Sequence, residues 1–435
     1  MKSLLLVTRV KRMAKEFSWV VVGQLAAFLG SLVLLNVLTE RIVPEQFGQL
    51  ALSLTIVGLV NAVVMGGFVN GIGRFYSISA EKNDLPGYLI ASFKMMVCAT
   101  AAVIIIALVM IGVLLCFRYS EAIVLVIAAL VFSLLGGYNA ALSSIQNAAR
   151  QRSIVAFHTG LDPWLKILLI IGLMLWFDNS STVALLCYSL AALLVMFSQL
   201  FFLWRSPQMQ ADKCLGSSSE EWSREIWLYS WPFIIWGVFG WAQISSTRWA
   251  LQSFGSTADV GYYAVLSQLG YVPIQTVIGV LMIYLNPIIY GMAGSATDES
   301  RRESVSVLVS RISLVGAAIT ALATLLAFFF HRQIVGFLVS EEYWLISKYL
   351  WILVAAGGIF GIASVIASKH LSFLSAKKLI PASIGSSLIG IFAAFAGVYF
   401  YSFAGAAFAM IVHSMSYLIL LLMVSTIQVN KNESD

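Results

Sequence analysis

The residues of this chain that are best placed to do chemistry are a carboxylate and an amine inside an apolar stretch. Asp162 and Lys166 lie four residues apart near the middle of residues 153–177. Residues four apart share one face of a helix, and ions at membrane depth are usually paired, turned toward a cavity and functional. We therefore expect this pair to meet a charged group of a substrate. A purely structural reading competes with it, since Asp162 could cap a helix that begins at Pro163.

Three arginines are further candidates for contact with an anionic substrate. Arg74 follows a glycine cluster at the end of the second apolar stretch, Arg248 lies at the end of the seventh, and Arg311 lies early in the ninth. A guanidinium can grip phosphate oxygens through two hydrogen bonds. The alternative for all three is a plain anchor at the membrane surface.

Uncharged polar residues are spread through the apolar stretches, and among them we expect Gln24 and Asn139 to contact the substrate. Hydrogen bonds between helices explain many such residues equally well. The cysteines include no CxxC pair, so neither a metal site nor a disulfide framework is indicated. We also expect no cofactor and no catalytic residue.

The composition identifies the elements that must position these side chains. Hydrophobic residues make up 60% of the sequence and charged residues 11%, against roughly 25% charged in soluble domains, and the mean hydropathy is +0.91. We predict an all-α polytopic membrane protein with twelve transmembrane helices. The predicted spans are residues 17–38, 47–71, 92–117, 122–147, 154–177, 183–204, 227–247, 260–285, 305–330, 346–366, 380–400 and 404–425.

The basic residues predict the orientation of these spans. With both termini in the cytoplasm, all but five of the 26 Lys and Arg residues fall on the cytoplasmic side, as the positive-inside rule requires. The five exceptions are Arg41, Arg118, Arg248, Arg332 and Lys348. The net charge of +6 is then a topology signal, so we expect no nucleic-acid partner.

An internal similarity predicts that the chain is duplicated. Placing Gly48 on Gly261 aligns the start of the second span with the start of the eighth, 213 residues later, which is close to half of the 435 residues. We predict an N-terminal six-helix bundle at 1–204, a cytoplasmic linker at 205–224 and a C-terminal six-helix bundle at 225–435. An even number of spans per half makes the repeats parallel, and we expect them to surround a central cavity.

Two stretches carry a resemblance to a known family. ERIVPEQFGQLALSL, with the glycine-rich end that runs into Gly73-Arg74-Phe75-Tyr76, resembles the polysaccharide flippases of the multidrug/oligosaccharidyl-lipid/polysaccharide exporter superfamily. So does GYNAALSSIQNAARQRSIVAFHTGLDPWLK, which is similar to that family's junction between the fourth and fifth spans. These motifs lie within about the first 170 residues. The positions carried over, as topological or packing positions, are Pro44, Phe47, Gly48, Arg74 and Arg152.

The resemblance implies a transporter of the bacterial inner membrane. It would move an undecaprenyl-diphosphate-linked oligosaccharide from the cytoplasmic to the outer leaflet by alternating access, for O-antigen, lipopolysaccharide, capsule or exopolysaccharide assembly. Cationic side chains would meet the diphosphate, and the polyprenyl tail would stay in the surrounding lipid. A polysaccharide polymerase is an expected further partner.

The sequence is also compatible with two other functions. A cation-coupled drug or metabolite exporter of the same superfamily would be favoured by a carboxylate deep in spans 1, 2, 7 or 8, where the sequence has none. A membrane polysaccharide polymerase or glycosyltransferase would need larger outer loops with acidic or histidine residues. Glu341 and Glu342 lie in the largest outer loop, which is the only stretch suited to acid-base work.

Overall fold

The structure is a computed structural model that describes residues 2–119, 122–205, 219–293, 299–373 and 379–432. These residues form helices joined by short turns, and no strand is found among them. The hydrocarbon core of a membrane contains no water that could hydrogen-bond to backbone N-H and C=O groups. The long aliphatic runs are therefore expected to form helices, whose backbone hydrogen bonds are internal. The prediction of an all-α polytopic membrane protein is confirmed.

The chain up to residue 205 forms seven α-helices and one π-helical turn. The π-helical turn, Asn61–Met65, separates the second α-helix from the third. The α-helices are α1 (Lys2–Arg41), α2 (Pro44–Val60), α3 (Gly66–Glu81), α4 (Leu85–Cys116), α5 (Ala122–Ala148), α6 (Arg152–Leu173) and α7 (Ser181–Trp204).

The chain from residue 219 onward forms five α-helices and one 3-10 helix. The 3-10 helix, Glu341–Tyr349, precedes the fourth of them. The α-helices are α8 (Ser219–Phe254), α9 (Thr257–Ala293), α10 (Glu299–Leu338), α11 (Leu350–Ser372) and α12 (Leu379–Asn432). Residues 206–218 of the linker predicted at 205–224 lie outside the described residues, and Ser219 already begins α8.

Ten helices of the described part are long and apolar enough to cross a membrane. The helix α8 is not among them. The last of the ten, α12, is broken at Ser402, whose φ of 52° reverses the chain. Its two segments pack antiparallel, with Gly397 against Gly405 and Gly390 against His413. The turn expected between the spans predicted at 380–400 and 404–425 is thus confirmed, and the number of twelve spans in two bundles stays a prediction.

The chain divides into two compact units whose borders fall inside helices. Unit 1 comprises Met1–Val37 and Leu52–Trp241, and unit 2 comprises Leu38–Ala51 and Ala242–Asp435. The first turns of α2 therefore belong to unit 2, whereas the first two-thirds of α8 belong to unit 1.

In unit 1, helices α5, α6 and α7 pack side by side, and α5 also packs on α3. A hydrophobic core of α3, α4 and α5 surrounds the fully buried Tyr88, whose hydroxyl donates to the Ile72 carbonyl. Trp222 of α8 joins this core and donates its indole N-H to Asp84 at 2.6 Å. The polar loop before α4 thereby fixes the start of α8 in unit 1.

In unit 2, α11 is the central helix and packs on α9, α10 and α12. Its glycines make this close approach possible, since small residues let membrane helices come near each other. A Cβ on Gly357 would lie 3.2 Å from the Tyr271 carbonyl oxygen of α9, and one on Gly358 would overlap Thr320 of α10.

The two glycines aligned by the internal similarity contact each other's helices within unit 2. A Cβ on Gly48 would overlap the Thr257 carbonyl, and one on Gly261 would overlap the Pro44 carbonyl. Pro44 and Thr257 are themselves 213 residues apart, as Gly48 and Gly261 are. The contact between the start of α2 and the start of α9 is therefore reciprocal, as a two-fold repeat requires.

Candidate substrate-binding site

The helix that carries Asp162 and Lys166 runs through Pro163 without a break. It begins at Arg152, so the alternative in which a helix starts at Pro163 is wrong. Proline leaves the carbonyl one turn earlier without its usual N-H partner, and at this point the helix packs on α1. The Pro163 ring lies against Gly30, where a Cβ would come within 2.8 Å of it, and Trp164 donates to the Ala26 carbonyl at 3.1 Å.

Asp162 and Lys166 form an ion pair, with Lys166 Nζ 2.5 Å from Asp162 Oδ2. The lysine side chain is 13% exposed and the aspartate side chain 34% exposed, so the carboxylate is the partner nearer the surface of unit 1. Lys166 Nζ also lies over the rings of Phe132 in α5 and Tyr188 in α7, at 5.3 and 5.0 Å from their centroids. Aromatic faces attract a cation at such distances. The site is thus a lysine held by one carboxylate and two rings.

His158 lies one turn before Asp162 on the same face of α6, and sequence reasoning missed it. It is buried, its Nδ1 donates to the Ile154 carbonyl at 2.8 Å, and its Nε2 is 2.9 Å from Ser198 Oγ in α7. A carbonyl can only accept, so Nε2 of the neutral ring accepts from the Ser198 hydroxyl. The spacing of four residues that pairs Asp162 with Lys166 also places His158 on the same helix face as Asp162, and this spacing was the available signal in the sequence.

Asn139 holds two helices together. Its side-chain N-H donates to the Ala192 carbonyl of α7 at 2.8 Å, one turn from Tyr188, and seven residues later Gln146 donates to the Gln199 carbonyl at 3.1 Å. This seven-residue repeat ties α5 to α7 as two parallel helices. The carbonyl oxygen of the Asn139 side chain is buried without a hydrogen-bond partner among the described residues.

Gln24 and Arg74 lie elsewhere in unit 1. Gln24 is half-buried on α1, beside Gly23, where a Cβ would come within 2.6 Å of the Ala156 carbonyl of α6. Arg74 is exposed on α3, and the preceding Gly73 packs on Ser144 of α5. The structure therefore brings Asp162 and Lys166 together and leaves Arg74 at the surface of the unit.

Arg248 is an inward-facing cation of unit 2. It lies on α8, and its Nη1 donates to the Ala51 carbonyl of α2 at 3.5 Å. Its Nε is buried and has no hydrogen-bond partner among the described residues. The structure shows no carboxylate within ion-pair distance of it there. A partly buried guanidinium whose N-H groups are incompletely bonded is suited to an anion.

Arg311 is exposed on α10 at an open cavity of unit 2. The cavity has a volume of about 400 Å³, and Glu303, Ser304 and Met292 line it with Arg311. A carboxylate and a guanidinium on one wall can meet a zwitterionic or a hydroxyl-rich group as well as a phosphate. Arg311 is therefore a candidate for substrate contact, but its surroundings do not select one kind of ligand group.

These helices and their inward-facing charged groups define a multi-pass membrane protein. The chain belongs to the polysaccharide biosynthesis protein family, whose model matches residues 13–292. The match includes every predicted substrate-contacting residue except Arg311. No curated protein matches the chain at a significant level.

Solved transporter structures share the fold. The chain resembles the inward-facing conformation of a multidrug resistance MATE family transporter of the MOP superfamily, with 15% identity, a TM-score of 0.68 and coverage of 94% of this chain and 96% of that one. It resembles the lipid II flippase MurJ, in an inward closed conformation, with 14% identity, a TM-score of 0.68 and coverage of 94% and 87%. A MOP superfamily transporter from Pyrococcus furiosus matches with 15% identity, a TM-score of 0.63 and coverage of 94% of both chains. At such identities the likeness concerns the fold.

Proposed function

We propose that the protein translocates a polyprenyl-diphosphate-linked oligosaccharide from the cytoplasmic to the outer leaflet of the bacterial inner membrane. The observation that carries this proposal is a lysine held at the middle of a membrane helix in a member of the polysaccharide biosynthesis protein family. A charge at that depth is costly and is retained where it has a function. A diphosphate is the group on such a substrate that a lysine can bind.

The proposed mechanism needs no enzyme chemistry. Lys166 supplies a cation for the diphosphate and so lowers the cost of moving a charged headgroup past the hydrocarbon core. Arg248 is a second, separate candidate for contact with an anionic group of the substrate. The polyprenyl tail stays in lipid, and the headgroup changes sides when the protein alternates between inward-open and outward-open states. The product would feed the assembly of O-antigen, capsule or another surface polysaccharide, with a polymerase as a further partner.

Deletion of the gene tests the proposal. The expected result is loss of surface polysaccharide together with accumulation of lipid-linked oligosaccharide on the inner leaflet, measured by lectin or periodate labelling of intact and opened cells. The wild-type gene should restore both, whereas Lys166→Gln should restore neither although it is inserted at normal abundance. Normal polysaccharide in the deletion strain would overturn the proposal.

The topology can be tested in the same strain. Both termini should lie in the cytoplasm, so a green fluorescent protein fused to the C-terminus should fluoresce and an alkaline phosphatase fused there should be inactive. The reverse result would invert every predicted loop.

A cation-coupled drug exporter is the second candidate, favoured by the likeness in fold to a multidrug transporter. Its sign would be a changed susceptibility of the deletion strain to cationic dyes, with surface polysaccharide intact. Asp162, the carboxylate inside a span, would then be the first residue to replace.

A further inference from the structure

The two residues of the ion pair in α6 differ in exposure, and this difference affects how a ligand could reach the lysine. Asp162 is the partner nearer the surface, and Lys166 lies behind it at 2.5 Å. An anion that approaches Lys166 therefore meets a carboxylate first, and two negative groups close together repel each other. The ammonium becomes available only when the carboxylate moves away.

The lysine does not depend on that carboxylate alone for its position. The Phe132 and Tyr188 rings pack on each other with centroids 5.6 Å apart and form one aromatic wall, over which Lys166 Nζ lies. Tyr188 is buried and Phe132 is half-buried, and they come from two different helices, so the wall is formed jointly by α5 and α7. A cation over such a wall stays favourable when its counter-ion leaves.

The aspartate, in contrast, is not held by the helix framework. Among the described residues, the Asp162 carboxylate accepts a hydrogen bond from Lys166 on the next turn, and its side chain is one-third exposed. A rotation about the side-chain bonds of Asp162 takes the carboxylate out toward the surface while the backbone of α6 stays in place.

We propose that Asp162 is an internal counter-ion that a diphosphate group displaces from Lys166. The carboxylate neutralises the lysine while the site is empty, and the diphosphate takes its place over the aromatic wall when substrate binds. After translocation the returning carboxylate competes with the diphosphate and assists its release. This inference rests on the proposed function, since it assigns the diphosphate to that substrate.

The test measures binding to the purified full-length protein in lipid nanodiscs. The probes are farnesyl diphosphate and inorganic pyrophosphate, with farnesol as the control that lacks phosphate, titrated by isothermal calorimetry. Removing a negative charge next to an anion typically shifts the equilibrium by about tenfold, so Asp162→Asn should bind farnesyl diphosphate about tenfold more tightly than wild type. Lys166→Gln should bind it at least about tenfold more weakly for the same reason.

Matched variants separate this role from a general effect of charge. Asp178→Asn removes an exposed carboxylate shortly after α6, and Lys348→Gln removes an exposed lysine that lies over the Tyr349 ring. Both should bind as wild type does. Asp162→Ser provides a second removal of the carboxylate in case the asparagine rebonds to Lys166, and thermal unfolding confirms that each variant is folded.

Transport gives a readout that a merely structural pair would not produce. Asp162→Asn should bind more tightly yet restore less surface polysaccharide to the deletion strain, because release is slowed. If Asp162→Asn and Asp162→Ser bind no more tightly than wild type, or if Lys166→Gln binds equally well, the exchange is refuted. If Asp162→Asn binds farnesyl diphosphate and inorganic pyrophosphate more tightly than wild type by the same factor, the site binds the diphosphate alone. If only the affinity for farnesyl diphosphate increases, the lipid tail is also bound.

The two proposals fail in different ways. If the variants rank as expected but the deletion strain keeps normal polysaccharide, the counter-ion exchange stands and the proposed substrate is wrong. If the deletion strain accumulates lipid-linked oligosaccharide but the Asp162 variants bind as wild type does, the proposed function stands and the exchange is wrong.

Discussion

Lys166 in unit 1 and Arg248 in unit 2 are both turned inward, and these two cations are held in opposite ways. Lys166 in unit 1 has a carboxylate four residues away on its own helix and two aromatic rings beside it. Arg248 in unit 2 has a main-chain carbonyl at 3.5 Å, from a residue 197 positions away in the chain, and a buried Nε without a partner among the described residues. One charge is neutralised locally, and the other is not.

The difference teaches what each site can contribute before any substrate arrives. A neutralised pair costs little to bury and becomes a cationic site only after its counter-ion moves. An incompletely bonded guanidinium costs more to bury and is a cationic site at all times. The second kind of site therefore lowers the stability of the protein but can bind an anion without a prior rearrangement. Measurements of stability and of transport on the same variants distinguish the two kinds of site.

The largest expected effect concerns the scaffold of the Arg248 site. Ala51 is placed by the reciprocal contact of α2 with α9, where a Cβ on Gly48 would overlap the Thr257 carbonyl. Because backbone must move, Gly48→Val should lower the free energy of unfolding by more than about 3 kcal/mol, beyond ordinary overpacking. Fluorescence-detected size exclusion after heating measures this.

Gly112→Val is the matched control, since a Cβ there has no heavy atom within 4 Å. It should change stability by less than about 0.5 kcal/mol. Gly261→Val should resemble Gly48→Val because the contact is reciprocal. Equal melting temperatures for the valine variants at positions 48 and 112 would contradict the packing argument.

The next effect is expected at the neutralised pair. Lys166→Met leaves Asp162 without its cation, and because that carboxylate is one-third exposed, the cost should be about 1 kcal/mol rather than the full penalty of a buried charge. The double variant Asp162→Asn/Lys166→Met should regain most of that stability, since no lone charge remains. Thermal unfolding of the four combinations in detergent measures the coupling. A double variant less stable than Lys166→Met would show that the pair is not a unit.

Arg248 should respond in the opposite direction. Arg248→Met removes an incompletely bonded guanidinium from the interior, so the melting temperature should stay the same or rise, with a gain of up to about 1 kcal/mol. Surface polysaccharide should nevertheless be lost, as with Lys166→Met. Arg248→Lys should restore it only in part, because a lysine lacks the planar donors of the guanidinium. A marked fall in the melting temperature of Arg248→Met would make Arg248 a structural residue and end the contrast between the units.

The same contrast explains what the sequence could predict. The Asp162 and Lys166 pair was predictable because both partners lie on one helix at a spacing of four, and the structure confirms that they share a face. The partner of Arg248 was not predictable, since a backbone carbonyl has no signature in the residue type and Ala51 is far away in the chain. The alignment of Gly48 with Gly261 predicted equivalent positions but gave no sign that their helices touch.

The fold was predicted more completely than the site. Continuous apolar runs specify helices almost by themselves in a bilayer, so the all-α polytopic class followed from composition. The turn at Ser402 falls between the spans predicted at 380–400 and 404–425. Sequence reasoning did not predict the π-helical turn at Asn61–Met65, which depends on packing. It also missed His158 and Arg248's buried surroundings, because burial of a polar side chain is decided by the neighbouring helices.

The smallest expected effect separates the charged site from the polar contacts that surround it. Asn139 ties α5 to α7 through a hydrogen bond to the Ala192 carbonyl at 2.8 Å. These two helices also supply the aromatic wall of Lys166. A single hydrogen bond between membrane helices contributes about 0.6 kcal/mol, and Ala192 keeps its helical hydrogen bond when Asn139 is replaced. Asn139→Leu should therefore lower the melting temperature slightly and leave farnesyl diphosphate binding within about twofold of wild type. If binding instead falls as far as it does in Lys166→Gln, the Asn139 amide contacts the ligand, and the cationic site of unit 1 extends beyond the ion pair along α5.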